Sequence, residues 1–176
     1  SMSGSGLPSS QLRLPLQRAD AGGAEGLVVS ASNREAFDTL ETWPQTRGGV
    51  LALCGPAGCG KSLLAARWVE RTGAAALHGA EAAMADPLEL EGCPVLLDRA
   101  QDADDETLFH LFNLTQSGGG ALLLVSRLAP ALWAAELPDL RSRLDAVRTV
   151  AIREPDDPVL AALLRSAKRA RSRAAR

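Results

Sequence analysis

The clearest chemistry in the sequence lies in eight consecutive residues, Gly55-Pro56-Ala57-Gly58-Cys59-Gly60-Lys61-Ser62. The glycines allow backbone N–H groups to turn toward an anion, while Lys61 adds a cation and Ser62 a hydroxyl. An apolar strand, Val50–Cys54, is predicted before the loop, and Lys61–Thr72 has the apolar spacing of a helix after it. This is the Walker A pattern in its required context, so the loop is predicted to bind the phosphates of ATP or ADP. The alternative is a glycine-rich turn with an accidental lysine.

A second apolar strand supplies the acid that such a site needs. Val95–Leu97 ends at Asp98, which we interpret as the Walker B aspartate that holds Mg²⁺ together with Ser62. The next residue is Arg99, where many ATPases of this architecture carry the acid that polarises the attacking water. We therefore expect nucleotide binding without fast hydrolysis. The nearby acids are predicted to cap the following helix; they are Asp102, Asp104 and Asp105.

Two other segments contain candidate site residues, each with an ordinary alternative. Ser126 ends the apolar strand Ala121–Ser126, and it is either a sensor beside the γ-phosphate or a strand-end hydroxyl. The segment Leu140–Leu144 contains Arg141 and Arg143. An arginine that crosses a subunit boundary stabilises phosphoryl-transfer charge in a neighbour's site, whereas a solvated arginine has no such role.

Strands and helices alternate along the chain, which predicts an α/β fold with a parallel sheet covered on both faces. Ser32–Glu35 has the pattern of a capping box, and Asp157-Pro158 that of an N-cap followed by the first helical residue. The remaining predicted elements are strands at Ala74–Leu77 and Val147–Ile152, a helix from Asp104 to about Gln116, and a short helix or turn at Pro138–Leu144.

The composition restricts the class of protein. The chain has 176 residues, of which 46% are hydrophobic and 23% charged, as expected for one globular domain with a short tail. No apolar run approaches the ~20 residues that span a bilayer, so we expect no membrane association. The three cysteines show no metal spacing and favour a reducing, cytoplasmic location. Residues 165–176 carry six basic side chains and no acid, but the acidic remainder is a poor surface for wrapping nucleic acid.

From Gln11 to Arg165 the sequence resembles the DnaA-related AAA+ proteins. The most specific element of the resemblance precedes the nucleotide-binding core and is similar to a sliding-clamp-binding peptide. It consists of Gln11, Leu12, Leu14, Pro15 and Leu16, with Arg13 between them. Such a peptide docks as an extended strand whose side chains enter pockets. On pattern alone, the alternating leucines also fit an edge strand.

The resemblance implies a P-loop AAA+ sheet flanked by helices, with the helical lid truncated or absent. It divides the chain into a flexible segment (1–26), a nucleotide-binding domain (27–154) and the start of a lid or a basic helix (155–176). It places Ser126 on the sensor strand and identifies Arg143 as an arginine finger.

The implied partners are the sliding clamp and a DnaA-type initiator, whose ATP hydrolysis the protein would promote. Self-association is left open, and no sequence-specific DNA binding is expected. The alternatives are a free-standing P-loop ATPase or kinase, and a binding-only adaptor with a vestigial nucleotide site.

Overall fold

The computed structural model describes residues 26–175, which contain a five-stranded sheet with all strands parallel. The strands are β1 (Gly49–Cys54), β2 (Ala75–His78), β3 (Pro94–Asp98), β4 (Ala121–Ser126) and β5 (Arg148–Ala151). Their order in the sheet is β2-β3-β4-β1-β5. The predicted α/β fold with a parallel sheet is confirmed. The peptide Gln11–Leu16 lies outside the described residues.

Helices connect the strands and cover both faces of the sheet. Those within residues 26–175 are α1 (Arg34–Thr42), α2 (Lys61–Thr72), α3 (Pro87–Leu90), α4 (Asp105–Gly118), α5 (Pro138–Ala146) and α6 (Asp157–Ala174). Short 3-10 turns occur at Gly79–Met84, Ala100–Asp102 and Pro130–Leu132. None of these helices combines the length and the apolar character needed to cross a membrane.

The strands are continuous apolar runs because helices bury them from both sides. β4, in the centre of the sheet, is buried at every residue. It pairs with β1 so that Cys54 lies opposite Ser126, and it pairs with β3 on its other side. The carboxyl ends of β1, β4 and β3 therefore meet at one edge, which is where open parallel sheets bind ligands.

The core has two layers, one on each face of the sheet. On one face, Leu64 and Trp68 of α2 pack with α1 and with side chains of the central strands. On the other, Leu108 of α4 and Leu144 of α5 pack with the alternate side chains of the same strands. The helices α2 and α5 therefore lie on opposite faces of the sheet.

Two predicted helix caps are wrong. Helix α1 begins after Asn33, and the Asn33 Oδ1 atom accepts a hydrogen bond from the Ser30 N–H (2.9 Å) instead of capping the helix. Helix α6 is capped by Asp156, whose carboxylate accepts from the Val159 N–H (3.4 Å), so Asp157 is already helical. The Asn33 contact is a local turn that competes with capping, whereas Asp156 also accepts from the Ser30 hydroxyl (2.7 Å), a contact between distant segments that the local pattern does not encode.

Candidate nucleotide-binding site

The phosphate loop connects β1 to α2 with the backbone geometry that its glycines allow. Gly60 is the N-cap of α2 at a φ of 100°, and Gly58 has a φ of 74°, both in the left-handed region. At Gly55, a Cβ atom would lie 2.8 Å from both the Cys59 Sγ and the Ile152 carbonyl oxygen. Side chains at these positions would strain or block the loop, so the glycines maintain its shape.

Lys61 lies across this loop. Its ammonium donates hydrogen bonds to the carbonyl oxygens of Gly55 (2.6 Å) and Pro56 (2.8 Å). The first residues of α2 follow directly, with the Ser62 side chain exposed. A cation held over a glycine loop at a helix N-terminus suits a di- or triphosphate, because loop, helix and ammonium all favour negative charge there. The geometry fits the predicted ligand.

Asp98 ends β3 at the same edge of the sheet. The chain turns sharply after it, because Arg99 adopts a left-handed conformation (φ 49°) and donates its backbone N–H to the Asp98 Oδ1 (3.0 Å). The Asp98 carboxylate and the Ser62 hydroxyl are hard oxygen donors. Together with phosphates and water they suffice for Mg²⁺. No cluster of three or more metal-ligating His, Cys, Asp or Glu side chains occurs within residues 26–175.

Three acids after Asp98 were predicted to cap the next helix, and one of them does. Asp104 is the N-cap of α4 and accepts from the Thr107 N–H (2.7 Å), which lowers the pKa of that carboxyl. Asp102 pairs with the Arg99 Nε (2.7 Å). Asp105 accepts from the backbone N–H groups of Glu136 and Leu137. Arg99, the residue after Asp98, is thus ion-paired with Asp102.

The Ser126 hydroxyl is buried at the end of β4. It donates to the Leu128 carbonyl oxygen (2.6 Å), and its oxygen lies 3.5 Å from the Cys54 Sγ. These bonds account for the strand-end alternative. A sensor role requires the hydroxyl to leave Leu128.

Two cysteines beside the loop, Cys54 and Cys59, are buried. Burial raises the pKa of the Cys54 thiol and that of the Cys59 thiol. Both therefore remain neutral side chains that pack beneath the loop.

Arg141 and Arg143 make different contacts. Arg141 donates to the carbonyl oxygens of Trp133 and Pro130 and pairs with Asp145, so it secures the turn after β4. The Arg143 Nη1 donates to the Asn113 Oδ1 (2.6 Å), and its guanidinium lies 5.1 Å from the centre of the Phe109 ring. Arg143 is half-buried against the side of α4.

The sequence analysis missed Phe109 and Asn113. Their spacing of four residues on α4 puts both side chains on one helical face. This spacing is the one feature of the sequence that could have indicated that they act together. Nothing in the sequence indicated that α5 would bring Arg143 to that face.

A parallel sheet of this order, with a Walker A loop between β1 and α2 and an acid after β3, defines the AAA+ P-loop NTPase fold. Solved structures of that fold are similar to this chain. One is the replication initiator DnaA bound to AMPPCP and single-stranded DNA, at 20% identity and a TM-score of 0.61, with 83% of this chain and 54% of that chain covered.

A second is domain III of the Thermotoga maritima replication initiation protein DnaA, at 20% identity and a TM-score of 0.61, covering 81% of this chain and 71% of that one. A third is the P-loop NTPase domain of the Escherichia coli sigma-54 transport activator, at 16% identity and a TM-score of 0.52, covering 73% and 99%. The chain spans about half the length of the AMPPCP-bound DnaA. No protein-family model and no curated protein sequence matches the chain.

Proposed function

We propose that this protein is a nucleotide-binding regulator of chromosome replication initiation, of the Hda type. It binds the sliding clamp and promotes hydrolysis of ATP held by the initiator DnaA. The observation that carries the proposal is the place of Arg143, which lies on the opposite face of the sheet from the phosphate-loop helix α2. An arginine in that place is suited to the phosphates of a partner and not to those bound by its own loop.

The protein's own site holds ADP or ATP through Gly55–Ser62, and Mg²⁺ bound by Ser62 and Asp98 neutralises phosphate charge. Turnover at this site is slow. The position after Asp98 is Arg99, whose guanidinium is bound to Asp102, so no carboxylate there orients an attacking water. The resident nucleotide is therefore a structural ligand that stabilises the folded form by mass action.

Arg143 completes the initiator's site. In the free protein it rests on Phe109 and Asn113, which restrict its rotamers without burying it fully. A guanidinium that is already ordered loses less entropy when it engages the charge of a transferring phosphoryl group. We further propose that the clamp is bound through Gln11, Leu12, Leu14, Pro15 and Leu16, that the protein is cytoplasmic, and that it reads no DNA sequence itself.

A binding-only adaptor with a vestigial nucleotide site is the second candidate. The Ser126–Leu128 hydrogen bond favours it, because a sensor hydroxyl committed to a backbone carbonyl does not contact a γ-phosphate. The intact cation of the loop, Lys61, favours the first candidate. The third candidate, a free-standing ATPase or kinase, would need an acid after Asp98, and this chain has Arg99 at that position.

The test is the release of phosphate from ATP-loaded initiator in the presence of DNA-loaded clamp. Adding the full chain should accelerate release. Leu14→Ala should abolish both the acceleration and recovery of the clamp in a pull-down, whereas Leu7→Ala, a control outside Gln11–Leu16, should preserve both. If the unmodified chain does not accelerate release, the proposed function is wrong.

A further inference from the structure

A cleft of about 500 Å³ opens on the face of the sheet that carries α4 and α5. Its walls are mainly apolar, formed by the turn Ala100–Asp102, the start of α4, the segment after β4 and one side of α5. The larger apolar wall residues are Leu108, Leu128, Leu132, Trp133 and Leu144. Leu128 is 58% exposed and Leu132 69% exposed, so the cleft rim presents leucine to water. Apolar surface of this kind, ringed by polar groups, is typical of an interaction site.

Two polar groups at the cleft have no partner within residues 26–175. The Gln101 Oε1 atom is shielded from water and accepts no hydrogen bond. The Arg127 guanidinium at the mouth is exposed and forms no ion pair or hydrogen bond there. By contrast, the third polar wall residue, Asp105, is satisfied by two backbone N–H groups. The cleft therefore offers a ligand one accessible cation, Arg127, whereas the Gln101 oxygen is covered by its surroundings.

Helix α4 connects the cleft to the contacts of Arg143. Asp105 lines the cleft, and Phe109 and Asn113, which hold Arg143, follow it at intervals of four residues along α4. Four residues advance a helix by about 6 Å, so these side chains form one stripe. A partner that brings phosphates to Arg143 lies against the same stripe.

We propose that this cleft docks the nucleotide-bound module that Arg143 serves, by receiving from it an apolar side chain next to a carboxylate. The leucines and Trp133 enclose the apolar group, and Arg127 pairs with the carboxylate. The inference rests on the proposed function, which requires such a partner. Docking at the cleft is distinct from stimulation by Arg143, so the two are separable by mutation.

We take the occupant to be a protein because the apolar surface extends beyond the cleft onto the exposed rim leucines Leu128 and Leu132, and because α4 connects the cleft to Arg143, which the partner must reach. The charge of Arg127 selects an acidic neighbour to the anchor. The leucines at the rim exclude water from the ion pair between Arg127 and the partner's carboxylate.

The experiment measures binding of the full chain to the AMPPCP-loaded AAA+ module of the initiator, together with initiator ATP turnover. Leu132→Ser and Arg127→Glu are the test variants. Their matched controls are Leu88→Ser, which alters a leucine 79% exposed outside the cleft, and Arg148→Glu on β5. The melting temperature and ADP affinity of each variant report on its fold.

Leu132→Ser and Arg127→Glu should each weaken binding by about tenfold or more. Their stimulation of turnover should fall in parallel, and their ADP affinity and melting temperature should match those of the controls. Arg143→Ala should bind normally but fail to stimulate.

Normal binding by both cleft variants, with loss of stimulation by Arg143→Ala, would overturn the docking inference and leave the proposed function standing. Full stimulation by Arg143→Ala would overturn the proposed function whatever the cleft variants do. If Leu132→Ser changes only the self-association of the chain, the occupant is a second copy and the inference is wrong. If the unmodified chain does not bind the module, both fail.

Discussion

The two faces of the sheet differ in how completely their helices cover them. On the face covered by α1 and α2, Trp43 and Trp68 pack with ring centres 5.4 Å apart, and the Trp68 indole N–H donates to the Trp43 carbonyl oxygen (3.1 Å). Both tryptophans are buried. On the other face, the cleft leaves Leu128 and Leu132 exposed and Arg143 half-buried.

This difference has a physical reason. A phosphate loop positions backbone N–H groups and one ammonium to a fraction of an ångström, so the helix behind it needs a rigid core. A surface that binds another protein must instead keep apolar side chains exposed and polar groups unpaired until the partner covers them. Under the proposed function, the closed face supports the protein's own nucleotide site and the open face meets the partner protein. The predictions below test this division of roles.

The largest expected effect is on stability at the closed face. Trp68→Ala removes a buried ring and its hydrogen bond, and should lower the free energy of unfolding by about 3–5 kcal/mol. Leu132→Ala, which truncates an exposed leucine of the open face, should change it by about 0.5 kcal/mol or less. Urea denaturation of both variants measures the difference. Equal losses would show that the two faces are equally packed.

The next effect is on the nucleotide. Lys61→Ala should weaken ADP and ATP binding by about tenfold to a hundredfold, because charge-assisted hydrogen bonds contribute about 1.5–3 kcal/mol. The chain offers one matched control, Lys168→Ala on α6, which should bind nucleotide normally. Fluorescence titration of both variants is the measurement. Unchanged nucleotide affinity in Lys61→Ala would show that the loop Gly55–Ser62 does not bind the phosphates through Lys61.

A smaller effect separates the two arginines of α5. Arg141→Ala should destabilise the protein by about 1–3 kcal/mol, because it removes the guanidinium donor from the Trp133 carbonyl oxygen and leaves the Pro130 carbonyl oxygen with the Trp133 N–H (3.1 Å) as its remaining donor. Arg143→Ala should cost about 1 kcal/mol or less, since it loses a half-exposed cation–π contact and one bond to an amide. Thermal denaturation distinguishes them. A reversed order would mean that Arg143 is the structural arginine.

The smallest effect is a pH dependence at the start of α6. Hydrogen bonds from the Ser30 hydroxyl (2.7 and 2.5 Å) hold the pKa of Asp156 below its ordinary value. A lowered pKa in the folded state stabilises the protein above the unfolded pKa, near ~4, and this contribution is lost as the pH falls through the folded value. The melting temperature should therefore decline less steeply in Asp156→Asn than in the unmodified chain. Identical acid profiles would show that Asp156 does not anchor α6.

The elements of the phosphate site could be predicted from sequence because their signals are local. The loop Gly55–Ser62 and the acid Asp98 each follow a short apolar strand, and α2 begins and ends where the pattern predicts. The backbone geometry of such a loop requires particular residue types at consecutive positions. These can be recognised in a single sequence.

The rest depends on contacts between distant segments. Arg143 reaches Phe109 and Asn113 only because α4 and α5 pack against each other. The N-cap of α6, Asp156, is held by Ser30, which is 126 residues away in the sequence. The cleft is lined by residues of α4, α5 and the segments that follow β3 and β4. The turn Gly79–Met84 and helix α3 were not predicted at all. Their sequences have neither the length nor the periodicity that indicates an element.

The central claim is that Arg143 acts on a nucleotide bound by another protein. The direct measurement is single-turnover hydrolysis of initiator-bound ATP, with DNA-loaded clamp and either the unmodified chain, Arg143→Ala or Arg143→Lys. We expect both variants to lose the stimulation by about a thousandfold or more, because a guanidinium fork is poorly replaced by an ammonium. ADP affinity in the chain's own site and clamp binding should remain unchanged. Full stimulation by Arg143→Ala would contradict the claim.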